Sequence, residues 1–207
     1  MAYWWDDRPW RMIQTNLREI DMLDIDAERF VADLKAFRAT NVLFNCAGII
    51  ASYHTDLPYH FQSPFLKGDS LETIIAACHK ADIRFLARTD FSKIRRPIYE
   101  AHPHWAYRTA SGQIVDYSGD VHACPMGEYQ QLYALHIIQE LLTRYEVDGI
   151  FFNMAGFQTR DYSGNYYGLC HCQACQEAFE RAYGLALPSR EDMSDPVYRQ
   201  YRLFTAR

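Results

Sequence analysis

Basic excess is missing from this chain: 21 lysines and arginines face 26 aspartates and glutamates, for a net charge of −5. Nucleic acid is therefore not an expected partner. Long apolar runs are missing too. None approaches the roughly 18 residues of a membrane-spanning helix, so no membrane partner is expected. The opening Met1-Ala2-Tyr3-Trp4-Trp5-Asp6-Asp7-Arg8 has neither the basic region nor the apolar core of a secretory signal. No Gly-x-Gly-x-x-Gly follows the first expected strand, which argues against a dinucleotide fold. Cysteine is scarce, six in 207 residues. Cys46 and Cys78 lie in apolar strand and helix patterns and read as reduced core thiols. These features together point to the cytoplasm. A chain of this length normally forms one domain with a sizeable core.

The other four cysteines are not scattered. Three fall within Cys170-His171-Cys172-Gln173-Ala174-Cys175, and Cys124 lies upstream. Crowded thiolates repel one another unless a cation or a disulfide accounts for them. A structural zinc site needs four soft donors at about 2.3 Å. Cys172-x-x-Cys175 supplies a short chelating turn, Cys170 a third arm and Cys124 the fourth. A disulfide or unpaired buried thiols are the competing readings. His171 could stand in for one thiol, but its side chain alternates away from those of its neighbours. His122, two residues before Cys124, is a further candidate beside that site.

Strands alternate with helices along the chain. Arg11–Asn16, Asn41–Cys46, Ile83–Arg88 and Val147–Asn153 read as strands. Asp26 is expected to cap a helix running to Ala39, with Phe30, Leu34 and Phe37 on one face. Ser70 is expected to cap a second, striped by Leu71, Ile74, Ile75 and Cys78. A third spans Glu128–Tyr145 and is expected to bury Leu132, Leu135 and Leu142. A fourth runs from Gln173 to Tyr183 and stops at Gly184. Repeated βα units imply a parallel sheet, open or closed into a barrel.

Loop lengths choose between these. Long loops follow strands, at 45–69 and 90–127, while the links from helix to strand are very short. Elaboration confined to the C-terminal ends of strands is the habit of (β/α)8 barrel enzymes. A full barrel takes roughly 250 residues, and about four βα units are visible here. The expectation is an α/β fold: the N-terminal half of a (β/α)8 TIM-type barrel, one partial domain over 1–207, truncated at its C-terminus. Two open sheet edges follow from that, and the full-length protein could form a homo-oligomer.

Several runs carry a family resemblance. They are Trp10-Arg11-Met12-Ile13-Gln14-Thr15-Asn16-Leu17-Arg18-Glu19, Asp90-Phe91-Ser92-Lys93, Glu100-Ala101-His102-Pro103-His104-Trp105, Asp148-Gly149-Ile150-Phe151-Phe152-Asn153 and the cysteine cluster. Together they resemble the hypothetical glycosyl-hydrolase-like family 6, whose barrels are similar to family 42 β-galactosidases and α-L-fucosidases. The resemblance implies a carbohydrate substrate. It also implies a zinc site like that of family 42, matched by Cys124, Cys170, Cys172 and Cys175. The fourth strand departs from the family 42 pattern. It ends Asn153-Met154-Ala155, so Asn153 can bind sugar, but no Glu follows as acid/base.

Glycosidases need two carboxylates, about 5–5.5 Å apart when retaining and about 6.5–9.5 Å when inverting. Asp90, after the third strand, is the first catalytic candidate. Asp161, in Gln158-Thr159-Arg160-Asp161-Tyr162, is the second. Glu19 is expected to pair with an arginine. Asn16, Arg18, Asn45, Arg88 and Asn153 sit at strand ends and form a candidate sugar cradle, because buried polar groups need partners. The expected function is hydrolysis of a glycosidic bond. The alternative is a non-catalytic carbohydrate-binding or assembly module with a structural zinc.

Overall fold

The computed structural model describes residues 3–6 and 9–206. In chain order the elements are β1 (Met12–Gln14), α1 (Ala27–Ala36), β2 (Asn41–Gly48), α2 (Ser70–Lys80), β3 (Arg84–Asp90), β4 (Lys93–Arg95), α3 (Arg96–Ala101), β5 (Asp116–Tyr117), β6 (Asp120–His122), α4 (Ala134–Arg144), β7 (Gly149–Asn153), α5 (Gln173–Tyr183) and α6 (Pro196–Phe204). They gather into two compact units. Met1–Thr89 with Ile137–Asn153 forms the first, and Asp90–His136 with Met154–Arg207 the second. Among the described residues no helix is long and apolar enough to cross a membrane.

The first unit is built on a four-stranded sheet ordered β1–β2–β3–β7. β1 and β2 are parallel, with Ile13 opposite Val42. Val42, Leu43, Phe44 and Cys46 are all buried. A strand covered on both faces needs a nearly continuous apolar run, and β2 has one, interrupted at Asn45. Helices α1 and α2 make the crossovers that parallel strands require. Asp26 caps α1 by accepting from the Arg29 amide at 3.0 Å.

Three helix expectations need correction. α1 ends at Ala36, and Arg38 turns the chain with φ of 54°. Phe37 therefore lies past the last helical turn and is 72 % exposed, while Val31 and Leu34 hold the buried face. Asp69, not Ser70, caps α2, accepting from the Glu72 amide at 3.0 Å. Ser70 already lies inside the helix, and its hydroxyl turns back to the Lys67 carbonyl. The expected stripe of α2 is buried as drawn.

The third correction concerns α4. A π-helical turn at Tyr129–Tyr133 leads into it. Ala134, Ile137, Leu141 and Tyr145 are buried, whereas Leu132, Leu135 and Leu142 are exposed. Leu132 lies inside the π turn, which changes the phase of the helix that follows. Leu135 and Leu142 fall roughly 100° round the helix from the centre of the buried face, one residue's rotation. Apolar residues cover more of this helix than its neighbours do.

The second unit contains a sheet that did not register in the sequence. β4, β6 and β5 form an antiparallel sheet in that order, pairing Lys93 with His122 and Asp116 with Val121. β5 and β6 join through Ser118 and Gly119, both left-handed, at φ of 55° and 90°. Two successive positive φ values make the tight turn that suits strand twist. α5 runs over its expected residues and stops at Gly184, with φ of 65°. Asp195 caps α6 through the Val197 amide at 2.8 Å. Leu169, Phe179, Tyr198 and Tyr201 form a core under α5 and α6.

The revised face of α4 is testable by chemical denaturation. Leu141→Ala should destabilise by about 2–5 kcal/mol, as a buried truncation does. Leu135→Ala should stay within about 0.5 kcal/mol. Equal effects would show that the helix packs by a different face.

Candidate functional site

Cys124, Cys170, Cys172 and Cys175 converge within the second unit. Their sulfurs all lie within 4.8 Å of one another, and all four residues are buried. This arrangement could hold a metal ion. Four thiolates around zinc at about 2.3 Å would stand about 3.8 Å apart, close to the spacing found. Cys124 Sγ stands 3.3 Å from Cys175 Sγ. That is far beyond a disulfide bond of about 2.05 Å, and all four are free thiols.

Local structure brings the sulfurs together. Cys172 is the residue before α5 and Cys175 lies in its first turn. A helix N-terminus favours thiolate. The Cys124 amide donates to the Trp105 carbonyl at 3.0 Å, and Gly127 closes the turn onto the Cys124 carbonyl. A Cβ on Gly127 would stand 3.2 Å from that oxygen, so the turn is tight. Tyr107 and Val115 pack against the sulfurs.

Charge is shared unevenly in the quartet. Hydrogen bonds from Cys124, Cys170 and Cys175 push the Cys172 thiol far down. Contacts with Cys170 and Cys172 push Cys124 up, and contacts with Cys124, Cys170 and Cys172 push Cys175 up. A bound dication would favour the thiolate form of every sulfur it touches. Neither histidine joins the sulfurs. His122 Nδ1 lies 3.0 Å from the Gln158 carbonyl, and His171 lines a separate cavity with Glu180 and Leu187.

The polar strand ends of the first unit divide. Asn45 and Arg88 meet across β2 and β3. In the amide orientation that satisfies both groups, Asn45 donates to the Thr15 carbonyl at 3.0 Å and accepts from Arg88 Nη1 at 2.6 Å. Arg88 Nε is buried without a hydrogen-bond partner. Asn153 ends β7, half-buried, and the chain leaves through Met154 at φ of 52°. Asn16 is exposed. Arg18 is exposed too and pairs with Asp21 at 2.6 Å, closing the short helix over Glu19–Leu23.

The two candidate carboxylates sit in different settings. Asp90 ends β3 and is buried. Its Oδ1 accepts from the Ser92 amide at 3.0 Å and the Ser92 hydroxyl at 2.6 Å. Asp161 organises its own loop, accepting from Tyr167 Oη at 2.6 Å and from the Ser163 and Asn165 amides and Asn165 Nδ2. The Tyr167 hydroxyl heads the causes that hold its pKa down at about 2. Lys93, next to Ser92, is also buried. Its burial, at 2 % exposure, has no local sequence signal.

Comparison with known proteins adds a family and a fold. Residues 26–154 match the family described as hypothetical glycosyl hydrolase 6. The fold is similar to that of alpha-L-fucosidase isoenzyme 2 from Paenibacillus thiaminolyticus, with 19% identity and a TM-score of 0.69, over 95% of this chain and 29% of that one. It is similar to a hypothetical protein from Ruminiclostridium thermocellum ATCC 27405, with 11% identity and a TM-score of 0.56, over 75% of this chain and 84% of that one. A beta-galactosidase from the Antarctic haloarchaeon Halorubrum lacusprofundi gives 15% identity and a TM-score of 0.56, over 84% of this chain and 25% of that one. Likeness at these identities is one of fold. The chain spans less than a third of the fucosidase and of the galactosidase. None of the curated proteins compared matches it in sequence.

Two measurements check this geometry. Metal analysis of the purified protein should find one zinc per chain, lost with a fall in melting temperature in Cys172→Ser; zinc content unaffected by the substitution would exclude the quartet as ligand set. For Asp161, the native pKa near 2 lies below the unfolded value of about 3.9. Its contribution to stability is therefore present above about pH 4 and lost as pH falls through 2. Tyr167→Phe should move the carboxyl titration, followed by NMR, upward toward the unfolded value.

Proposed function

Because this chain belongs to the hypothetical glycosyl hydrolase 6 family, we propose that it is a carbohydrate-acting part-barrel that hydrolyses an O-glycosidic bond. In this reading residues 1–207 are one partial (β/α)8 domain of about four βα units. The observation that carries the proposal is Asp90. It is a buried carboxylate at the C-terminal end of a strand in a sheet assembled from βα repeats. Barrel enzymes keep their chemistry at that end.

Asp90 acts as one of the two carboxylates, with its orientation preset by Ser92. Asp161 is the other candidate. A carboxyl held near pKa 2 stays ionised. It suits electrostatic support of the positive charge that develops on the sugar, rather than proton donation. Asn45, Arg88 and Asn153, with Asn16 and Arg18, bind sugar hydroxyls. Arg88 Nε, buried and unsatisfied, is a donor that such a hydroxyl would complete.

The cysteine quartet holds structural zinc in this proposal. Four thiolates close the coordination sphere and leave no position for a reacting water, so the metal's contribution is to folding. Reduced thiols in this number suit the cytoplasm.

A second reading is favoured by the end of β7. Asn153-Met154-Ala155 carries no carboxylate, which suits a non-catalytic carbohydrate-binding or assembly module with the same zinc. A screen of aryl glycosides separates the two. The enzyme reading expects turnover of at least one glycoside, reduced by about 10²–10⁴ in Asp90→Asn. Sugar binding by calorimetry with no turnover would replace it with the binding module.

A further inference from the structure

Beside Asp90 the second unit buries a cation that the hydrolytic reading does not use. Lys93 opens β4 and is 2 % exposed. Its ammonium has three protons to place. It stands 3.5 Å from Ser92 Oγ and 3.4 Å from the Tyr162 hydroxyl, both at the far limit of hydrogen bonding. Ser92 gives its own proton to Asp90, so it can only accept from Lys93. The ammonium also lies over the Tyr162 ring, 4.5 Å from its centre. Among the described residues Lys93 makes no ion pair. A buried ammonium without a direct counter-ion is strongly unfavourable.

Lys93 lines a cavity of about 240 Å³ together with Phe157, Arg160, Asp161 and Tyr162. The one carboxylate among these, Asp161, already accepts four hydrogen bonds within its loop. Arg160 donates to the Gly164 carbonyl and lies over the Tyr166 ring. Two cations therefore face one carboxylate whose oxygens are engaged. His122 is the register partner of Lys93, so both side chains leave the same face of the hairpin. The Gln158 carbonyl beside His122 Nδ1 can only accept, which puts the proton on Nδ1 and leaves Nε2 bare. That Nε2 is buried without a hydrogen-bond partner, and His122 itself stays behind the cavity wall, outside its lining.

We propose that this cavity receives an acidic sugar unit, its anionic group paired with Lys93. Tyr162 offers a ring for the sugar to rest on. The size suits one monosaccharide unit. The inference rests on the carbohydrate reading and adds the class of sugar: a uronate or a sulfated unit rather than a neutral one.

Isothermal titration calorimetry on the whole chain decides it, with tetramers of galacturonate, sulfated galactose and galactose as probes. The native protein should bind at least one acidic tetramer about tenfold or more tighter than the neutral one, as a charge-assisted contact provides. The galacturonate and sulfate arms tell a carboxylate from a sulfate. Lys93→Met should abolish the preference, leave galactose binding unchanged and raise the melting temperature, because the buried ammonium is gone. Lys93→Arg should keep the preference. Equal binding of acidic and neutral tetramers by the native protein overturns the inference and leaves the carbohydrate reading standing. A preference that survives in Lys93→Met overturns it as well. Failure of every tetramer to bind sinks both.

Discussion

Four cysteine sulfurs held within 4.8 Å of one another are the constraint around which the second unit is arranged. They come from two segments, the turn at Cys124 and the approach to α5. Packing them together buries four thiols whose hydrogen bonds to one another draw the Cys172 thiol down and push the Cys124 and Cys175 thiols up. Hydrogen bonds among the thiols settle the charge on Cys172. The surrounding chain is shaped to allow the approach. Gly127 keeps the Cys124 turn tight, Cys172 and Cys175 use the positive end of α5, and Tyr107 and Val115 exclude water.

The first unit solves a different problem. Its central strands are covered on both faces, so any polar side chain in them must find a partner inside the sheet. Asn45 and Arg88 do so across neighbouring strands, with Thr15 as the third member. The residual unsatisfied donor on Arg88 lies in the same network. Polar groups held this rigidly in a parallel sheet are costly as packing and useful as a binding surface. Arg18 pairs with Asp21 at the short helix over Glu19–Leu23.

Legibility followed the range of the forces involved. The limits of α5 and its stop at Gly184 were readable because cap and glycine act within one turn. The burial of β2 was readable because a continuous apolar run has one physical use in a parallel sheet. The sheet β4–β6–β5 escaped because its strands are two or three residues long, too short to show alternation. Ser118-Gly119 is its one local signal, and it lies within the long loop expected at 90–127. The capping roles of Asp69 and Ser70 were exchanged because adjacent residues of similar capping strength differ only in where the first helical turn begins.

The sequence alone determined the alternation of strands and helices, the four candidate sulfur ligands and the absence of basic excess. Each of these depends on residue type and on spacing along the chain. Tertiary structure decided which flank of α4 is buried, because several flanks are apolar and only packing selects one. It decided that Asp161 is consumed by its own loop while Asp90 is oriented by Ser92, since two aspartates are identical until their neighbours are known. It also decided that Lys93 is buried: a lysine is ordinarily solvated, and only the pairing of β4 with β6 and the loop carrying Tyr162 remove it from water.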